Sequence, residues 1–484
     1  MGEPVSFDNT YARLPETFFA RVRPAAVPAP TLVRLNRGLC EQLGVDARWL
    51  ESEAGVAMLA GNALPESADS IAMAYAGHQF GGWVPRLGDG RALLLGEVVD
   101  GNGIRRDVQL KGSGATPFSR GGDGKATLGA ILREYIVSEA MFALGIPTTR
   151  ALAAVMTGEP VFRETPVPGA ILTRVARSHV RVGTFQYFHA RNDERAVRTL
   201  ADYVAERHYP RVFDAGNPYR ALLDSIVERQ AELVARWMHV GFIHGVMNTD
   251  NMQVAGETID YGPCAFMDQF RSSCVFSSID RNGRYAWDQQ PAVARWNLAR
   301  LAESLLPLLS VDEANAALVR FGTLFDAAYL DGFRQKLGLT EPSGDDDELL
   351  RATLATLGDQ DVDFTLFFRR LTQVAAGADD GALVRLFNSA DRGRAWLATW
   401  RERLQTESTD AETRAAIMRG VNPIVIPRNH RIEAAIQAGN RGDFTPFHRL
   451  VDVLSSPYEE RPDYAEYESA PLPEQRVLQT FCGT

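Results

Sequence analysis

The chain has 484 residues, 45% hydrophobic and 23% charged, the composition of a globular protein with an ample core rather than a disordered one. Its net charge of -10 and pI near 5.5 offer no basic field to attract nucleic acid or an anionic membrane, so neither is expected as a partner. No stretch reaches the roughly 20 apolar residues of a membrane span, the N-terminal MGEPVSFDNTYARLP holds no signal-peptide core, and the four cysteines lack CxxC spacing; the expected location is the cytoplasm.

Residues 1–70 are rich in proline and alanine and are expected to wrap around a neighbour rather than build a core of their own. From Arg91 the text changes. ALLLGEVV and RRDVQLKG flank a GNG turn at 101–103 and read as an antiparallel pair of strands. In the second strand Val108 and Leu110 alternate with Asp107, Gln109 and Lys111, which sends Lys111 away from the apolar side, into solvent or a cleft. The loop GSGATPFSRGGDG follows, and then a helix over 125–144 with Leu128, Ile131, Leu132, Tyr135 and Ile136 on its apolar stripe. Glu134 lies off that stripe and, on the helix alone, reads as a solvated surface residue.

GAILTRVARS at 169–178 reads as a further strand, and the bare sequence makes Arg174 and the nearby Arg181 ordinary surface arginines. Beyond Thr199 the chain leans helical. A helix over 219–240 is long and apolar enough to be buried and central, and it leads into GFIHGVMNTDNM. The segment MQVAGETIDYG is expected to form a short hairpin turning at Ala255, Gly256 and Glu257, and from Pro291 onward the remainder is mostly helical.

Of the 51 basic residues only Lys111, Lys125 and Lys336 are lysines; the other 48 are arginines. Two of the three stand 14 positions apart in a glycine-rich stretch, where a compact ammonium suits phosphate groups. SRGGDGKAT narrowly misses the phosphate-loop pattern, since Ser119 replaces its first glycine and Ala126 follows Lys125, so a P-loop NTPase is disfavoured. The eight histidines show no paired ligand spacing, and His78 and His244 read as structural.

A strand lysine, a helix glutamate, a long helix, a polar loop and an Asp-x-Gly follow one another here in the order of a protein kinase. Lysine neutralises nucleotide phosphates, the glutamate holds the lysine, and Asn and Asp supply hard oxygens to a divalent metal. The candidates are Lys111, Glu134, Asn251 and Asp260. In HGVMNTDN, His244 and Asn251 keep the frame of HRDxxxxN, but Val246 occupies the position of the phosphotransfer aspartate. Asp250 stands directly before Asn251 instead. Either the chain is a catalytically dead nucleotide binder, or the transfer geometry differs and Asp250 is the base.

The runs YAGHQFGGWVPRLGDGRALLLGE, LKGSGATPFSRGGDGKATLG, HGVMNTDNM, IDYGPCAFMD, FSSIDRNGRYAWDQQPAVARWNLARLAE and NPIVIPRNHRIEAAI resemble the selenoprotein O family from about residue 7 to the C-terminus. The resemblance implies an α+β fold of kinase-like, two-lobed form. It divides into an N-terminal extension (1–85), an N-lobe-like nucleotide-binding unit (86–170), a C-lobe-like catalytic unit (171–330) and a helical C-terminal extension (331–484). It implies AMP transfer from ATP to Ser, Thr or Tyr of proteins, including the chain itself and redox-related proteins, with ATP inverted relative to kinases and pyrophosphate released. UMP transfer from UTP with Mn²⁺, a conventional kinase and a non-catalytic nucleotide-binding scaffold are the alternatives.

Carried residue by residue, the resemblance puts Gly88, Gly90 and Arg91 in a nucleotide-contacting turn and pairs Lys111 with Glu134. It sets Asp123, Gly124 and Lys125 beside the nucleotide and Arg174 and Arg181 on its inverted phosphates. Asp250 is the implied base, Asn251 and Asp260 hold Mg²⁺ or Mn²⁺, and Asp260 also touches the nucleotide. Cys482, near the C-terminus, is associated in this family with redox control, with Cys274 and Cys264 as the available partners.

Overall fold

The alternation in RRDVQLK sorts its side chains between two faces of a sheet. Arg105–Lys111 pairs antiparallel with Ala92–Val99 on one side and with Pro166–Ala176 on the other. Val108 and Leu110 pack with Leu95, Val98, Ile171 and Val175 on one face, which leaves Gln109 and Lys111 on the opposite one. A computed structural model describes residues 5–481 of the protein. Among these, eight strands form the main sheet, running in space Phe19–Arg21, Ile71–Met73, Ala92–Val99, Arg105–Lys111, Pro166–Ala176, Arg150–Phe162 and Thr31–Leu35. The short Ala126–Thr127 pairs with Pro166–Ala176 off that path.

The N-terminal segment does more than wrap. It supplies both edge strands of the main path and three short helices, Arg37–Leu43, Ala47–Leu50 and Glu53–Leu59. Leu39, Leu43, Leu50 and Leu59 of these helices join Val108, Leu110 and Val155 in a hydrophobic cluster on one sheet face. Prolines fill the connections, while the apolar residues between them complete a distant sheet.

On the other face lies Leu128–Ala143, with Ile131, Leu132, Tyr135 and Ile136 in the main core together with Ala170 and Leu172. It begins at Leu128 because Ala126 and Thr127 extend to pair with Ala170 and Gly169, and the Thr127 hydroxyl then caps it by accepting from Ala130 N–H. The long helix is Pro218–His239, capped by Asn217 and packed against Val311–Leu337.

The hairpin expected in MQVAGETIDYG does not form. The turn is present, with Gly256 N–H donating to Gln253 O at 3.2 Å, but its arms pair elsewhere. Gln253 bridges Arg181, and Thr258 bridges Thr148. From Gln290 to Leu454 the chain is a succession of helices. The result is a mixed fold of one large sheet and many helices, and no described helix is long and apolar enough to cross a membrane.

Candidate active site

Strand register builds the charged centre. Leu172 lies opposite Lys111, so Arg174, two residues further along, emerges on the same face beside Gln109. Glu134 rises from the helix beneath that face and forms an ion pair with Lys111. Arg174 Nη2 meets Glu134 Oε1 at 2.5 Å and Asp260 Oδ1 at 2.7 Å, while its Nη1 reaches Gln109 Oε1 at 3.2 Å. Lys111 Nζ stands 3.2 Å from the same Asp260 oxygen, and Arg181 Nη1 donates to Asp260 Oδ2 at 3.0 Å.

These contacts overturn the surface readings taken from local sequence. Glu134, Arg174 and Arg181 are only 2%, 1% and 4% exposed. A charge buried this deeply has to be paired, and here three cations share two carboxylates. Burial alone would raise both carboxyls, but Arg174 and Lys111 hold Glu134 below its ordinary value, and Arg174, Lys111 and Arg181 hold Asp260 well below its own. Asp260 also has φ 62°, the left-handed region that non-glycine residues seldom occupy.

The HGVMNTDN loop contributes the other acid. His244 is buried, with Nε2 at 2.8 Å from Ile259 O, and the half-buried His78 contacts Gln186 Nε2 through Nδ1. Asn251 Nδ2 donates to Val246 O at 3.0 Å. Asp250 accepts from Gln79 Nε2 at 3.3 Å on Oδ2, while its buried Oδ1 has no hydrogen-bond partner among the described residues. Burial pushes the Asp250 carboxyl up to about 6, against the lowering effect of Arg181. Gly77 makes room for it: a Cβ there would sit 2.5 Å from Asp250 Oδ1.

A cleft of about 670 Å³ collects these residues. Gly88, Gly90, Arg91, Lys111, Asp123, Gly124, Lys125, Arg174, Arg181, Asp250, Asn251 and Asp260 all line it, and Glu134 backs Lys111 from behind. At the rim Asp123 is bound to Arg163 at 2.8 Å and Lys125 to Glu159 at 2.8 Å. Gly124 has φ 67°, and a Cβ there would lie 2.0 Å from Gly114 O, so only glycine lets the two loops touch.

Sequence reasoning missed several neighbours. The Arg181 guanidinium lies 4.6 Å from the Tyr75 ring centre and 3.7 Å from Asp89, and Asp89 in turn accepts from Gln109. Tyr75, Gln79 and Asp89 fall inside the YAGHQFGG and GDG runs, so their location was signalled but their partners were not. Cys264 and Cys274 are present as thiols whose pKa values burial raises, and the expected pairing with Cys482 lies outside the described residues.

Comparison with known proteins bears on this geometry. A family model described as protein adenylyltransferase SelO matches residues 3–455. The chain belongs to the SelO family. Similar curated relatives are the protein nucleotidyltransferases YdiU of Rhodopseudomonas palustris strain BisB5, 58% identical over 99% of both chains, and of Rhizobium rhizogenes, 57% identical over 99% of this chain and 97% of the relative. That of Nitrobacter hamburgensis is 57% identical with the same coverage. The chain is therefore an enzyme of nucleotidyltransferase type, acting with nucleotide and protein substrates.

A SelO-family reaction raises the question of a metal. Among the described residues no three His, Cys, Asp or Glu side chains converge on one point. Asn251 and Asp260 do line the same cleft, and the Asn251 amide oxygen accepts no hydrogen bond among the described residues. One amide and one carboxylate oxygen suit a Mg²⁺-class ion, which takes its remaining ligands from water and phosphate.

Proposed function

We propose that the chain moves AMP from ATP onto Ser, Thr or Tyr hydroxyls of proteins, in a kinase-like two-lobed frame with ATP bound tail-inward. The observation that carries this reading is the pairing of two features. Three buried cations crowd one carboxylate at the inner end of the cleft, and the acid of the loop is Asp250 rather than a residue at the Val246 position. A triphosphate is drawn toward the cations. With its β- and γ-phosphates against Lys111, Arg174 and Arg181, the α-phosphorus is left facing the acceptor. Gly88, Gly90, Arg91 and the Asp123–Lys125 loop border the remainder of the nucleotide.

In this reading Asp250 takes the proton from the acceptor hydroxyl, whose oxygen attacks the α-phosphorus as the bond to the β-phosphate breaks. A base needs a free lone pair, and Asp250 Oδ1 has one. Pyrophosphate leaves with its growing charge held by Arg174 and Arg181. Mg²⁺ or Mn²⁺, held by Asn251 and Asp260, would neutralise phosphate charge when bound. We assign the activity to the cytoplasm, with the chain itself and redox-related proteins among the acceptors.

Arg181→Ala tests the orientation. It should weaken ATP binding and lower transfer while changing AMP binding much less, because AMP lacks the phosphates this arginine holds. Calorimetric titration of both nucleotides decides the matter, and equal losses for ATP and AMP would count against the inverted pose.

A further inference from the structure

Away from the nucleotide cleft, a cavity of about 340 Å³ opens between the strand ends and the long helix. Strand alternation sends Arg106 toward it, on the parity of Val108 and opposite to Lys111, and Arg177, the residue directly after the strand Pro166–Ala176, lines it as well. The long helix adds Arg229 and Arg236, and Arg150 completes five arginines around the cavity. Two of them are neutralised, Arg150 by Glu139 at 2.7 Å and Arg106 by Asp100 at 3.0 Å. Arg229 instead donates to the carbonyls of Ala255 and His208, and Arg236 to that of Gly145. Arg177 Nε is buried with no hydrogen-bond partner among the described residues.

Acid does not balance this charge. Glu257 accepts the Arg177 backbone N–H at 2.8 Å and stands 3.7 Å from Arg106, and Glu232 is the other carboxyl on the walls. Burial pushes Glu257 up to about 7, so its negative charge is only partly present at neutral pH. Burial, then the charge of Arg229, lower the Arg177 value; Glu257 opposes them and Arg106 adds to them, so the nearby acid offsets the crowding of cations only in part. A purely structural role accounts for Arg229, which stacks 4.2 Å from the Tyr209 ring centre, but leaves Arg177 unexplained.

We infer that this cavity is a second anion site, separate from the nucleotide cleft, that takes a small phosphate-bearing molecule. Guanidinium forks match phosphate oxygens in geometry as well as charge. The volume lies at the lower end of small-molecule pockets, which limits the ligand to about the size of pyrophosphate, a sugar phosphate or a mononucleotide. The inference does not depend on which nucleotide is transferred in the cleft.

The test is calorimetric titration of the full chain with pyrophosphate, the cleft first saturated with Mg²⁺ and an ATP analogue whose α–β bridge is a methylene. One further site is expected. Arg177→Gln should weaken it by about tenfold or more, as loss of a charge-assisted contact does, and Glu257→Gln should tighten it by removing a competing anion. Arg177→Lys should fall between wild type and Arg177→Gln, and thermal unfolding of each variant shows whether it is folded. Absence of binding once the cleft is filled would overturn the inference, as would binding that Arg177→Gln leaves unchanged.

Discussion

Asp260 and Asp250 stand in the same cleft with opposite electrostatics, and substitution should separate their roles. Asp260 is the shared partner of Lys111, Arg174 and Arg181. Asp260→Asn leaves Lys111 and Arg174 with Glu134 alone and Arg181 with Asp89 at 3.7 Å, a change of the kind that costs about 3–5 kcal/mol when a buried pair is broken. The variant should melt lower, and its affinity for ATP should no longer respond to Mg²⁺, which calorimetry with and without metal measures. Asp250→Asn should keep ATP affinity within about twofold and lose transfer by about a hundredfold or more. Near-normal turnover in that variant would remove Asp250 from the mechanism.

At the scale of elements, the glycine loop and the strand register decide whether the charged centre assembles. Gly124→Ala forces a Cβ against Gly114 O in a left-handed backbone, so the loop carrying Asp123 and Lys125 has to shift. A lower melting temperature and weaker ATP binding are expected, read by thermal unfolding and titration on the same sample. The strands flanking 101–103, the glutamate helix and the long helix were all legible, because each is written in local periodicity. The meeting of Arg174 with Glu134 was not, since it depends on register between strands and on a helix 40 residues upstream. The same limit explains the hairpin that did not form: the partners of Gln253 and Thr258 are Arg181 and Thr148, far outside any local window. Val246, by contrast, stood out at once, because a missing aspartate in a fixed frame is a local fact.

Across the whole molecule, Lys336 shows what a buried charge does far from the cleft. It ends the helix Val311–Leu337, with Nζ 4.3 Å from the Phe368 ring centre and 5.7 Å from that of Phe364, and burial lowers its pKa from 10.5 to about 7. Between those two values the unfolded chain holds the proton and the folded chain does not. Stability contributed through Lys336 therefore rises with pH across that window, by up to about 1.4 kcal/mol per pH unit, and is at its lowest below pH 7. Lys336→Met should raise the melting temperature at neutral pH and flatten that slope, both visible in denaturation curves taken from pH 7 to 10. AMP transfer and phosphate transfer differ in which phosphorus of ATP reaches the acceptor. Incubation of the protein with Mg²⁺ and ATP labelled separately at the α- and γ-phosphates, followed by counting of protein-bound label, answers this directly. Label retained from the α-position alone is predicted, and label from the γ-position alone would contradict the account.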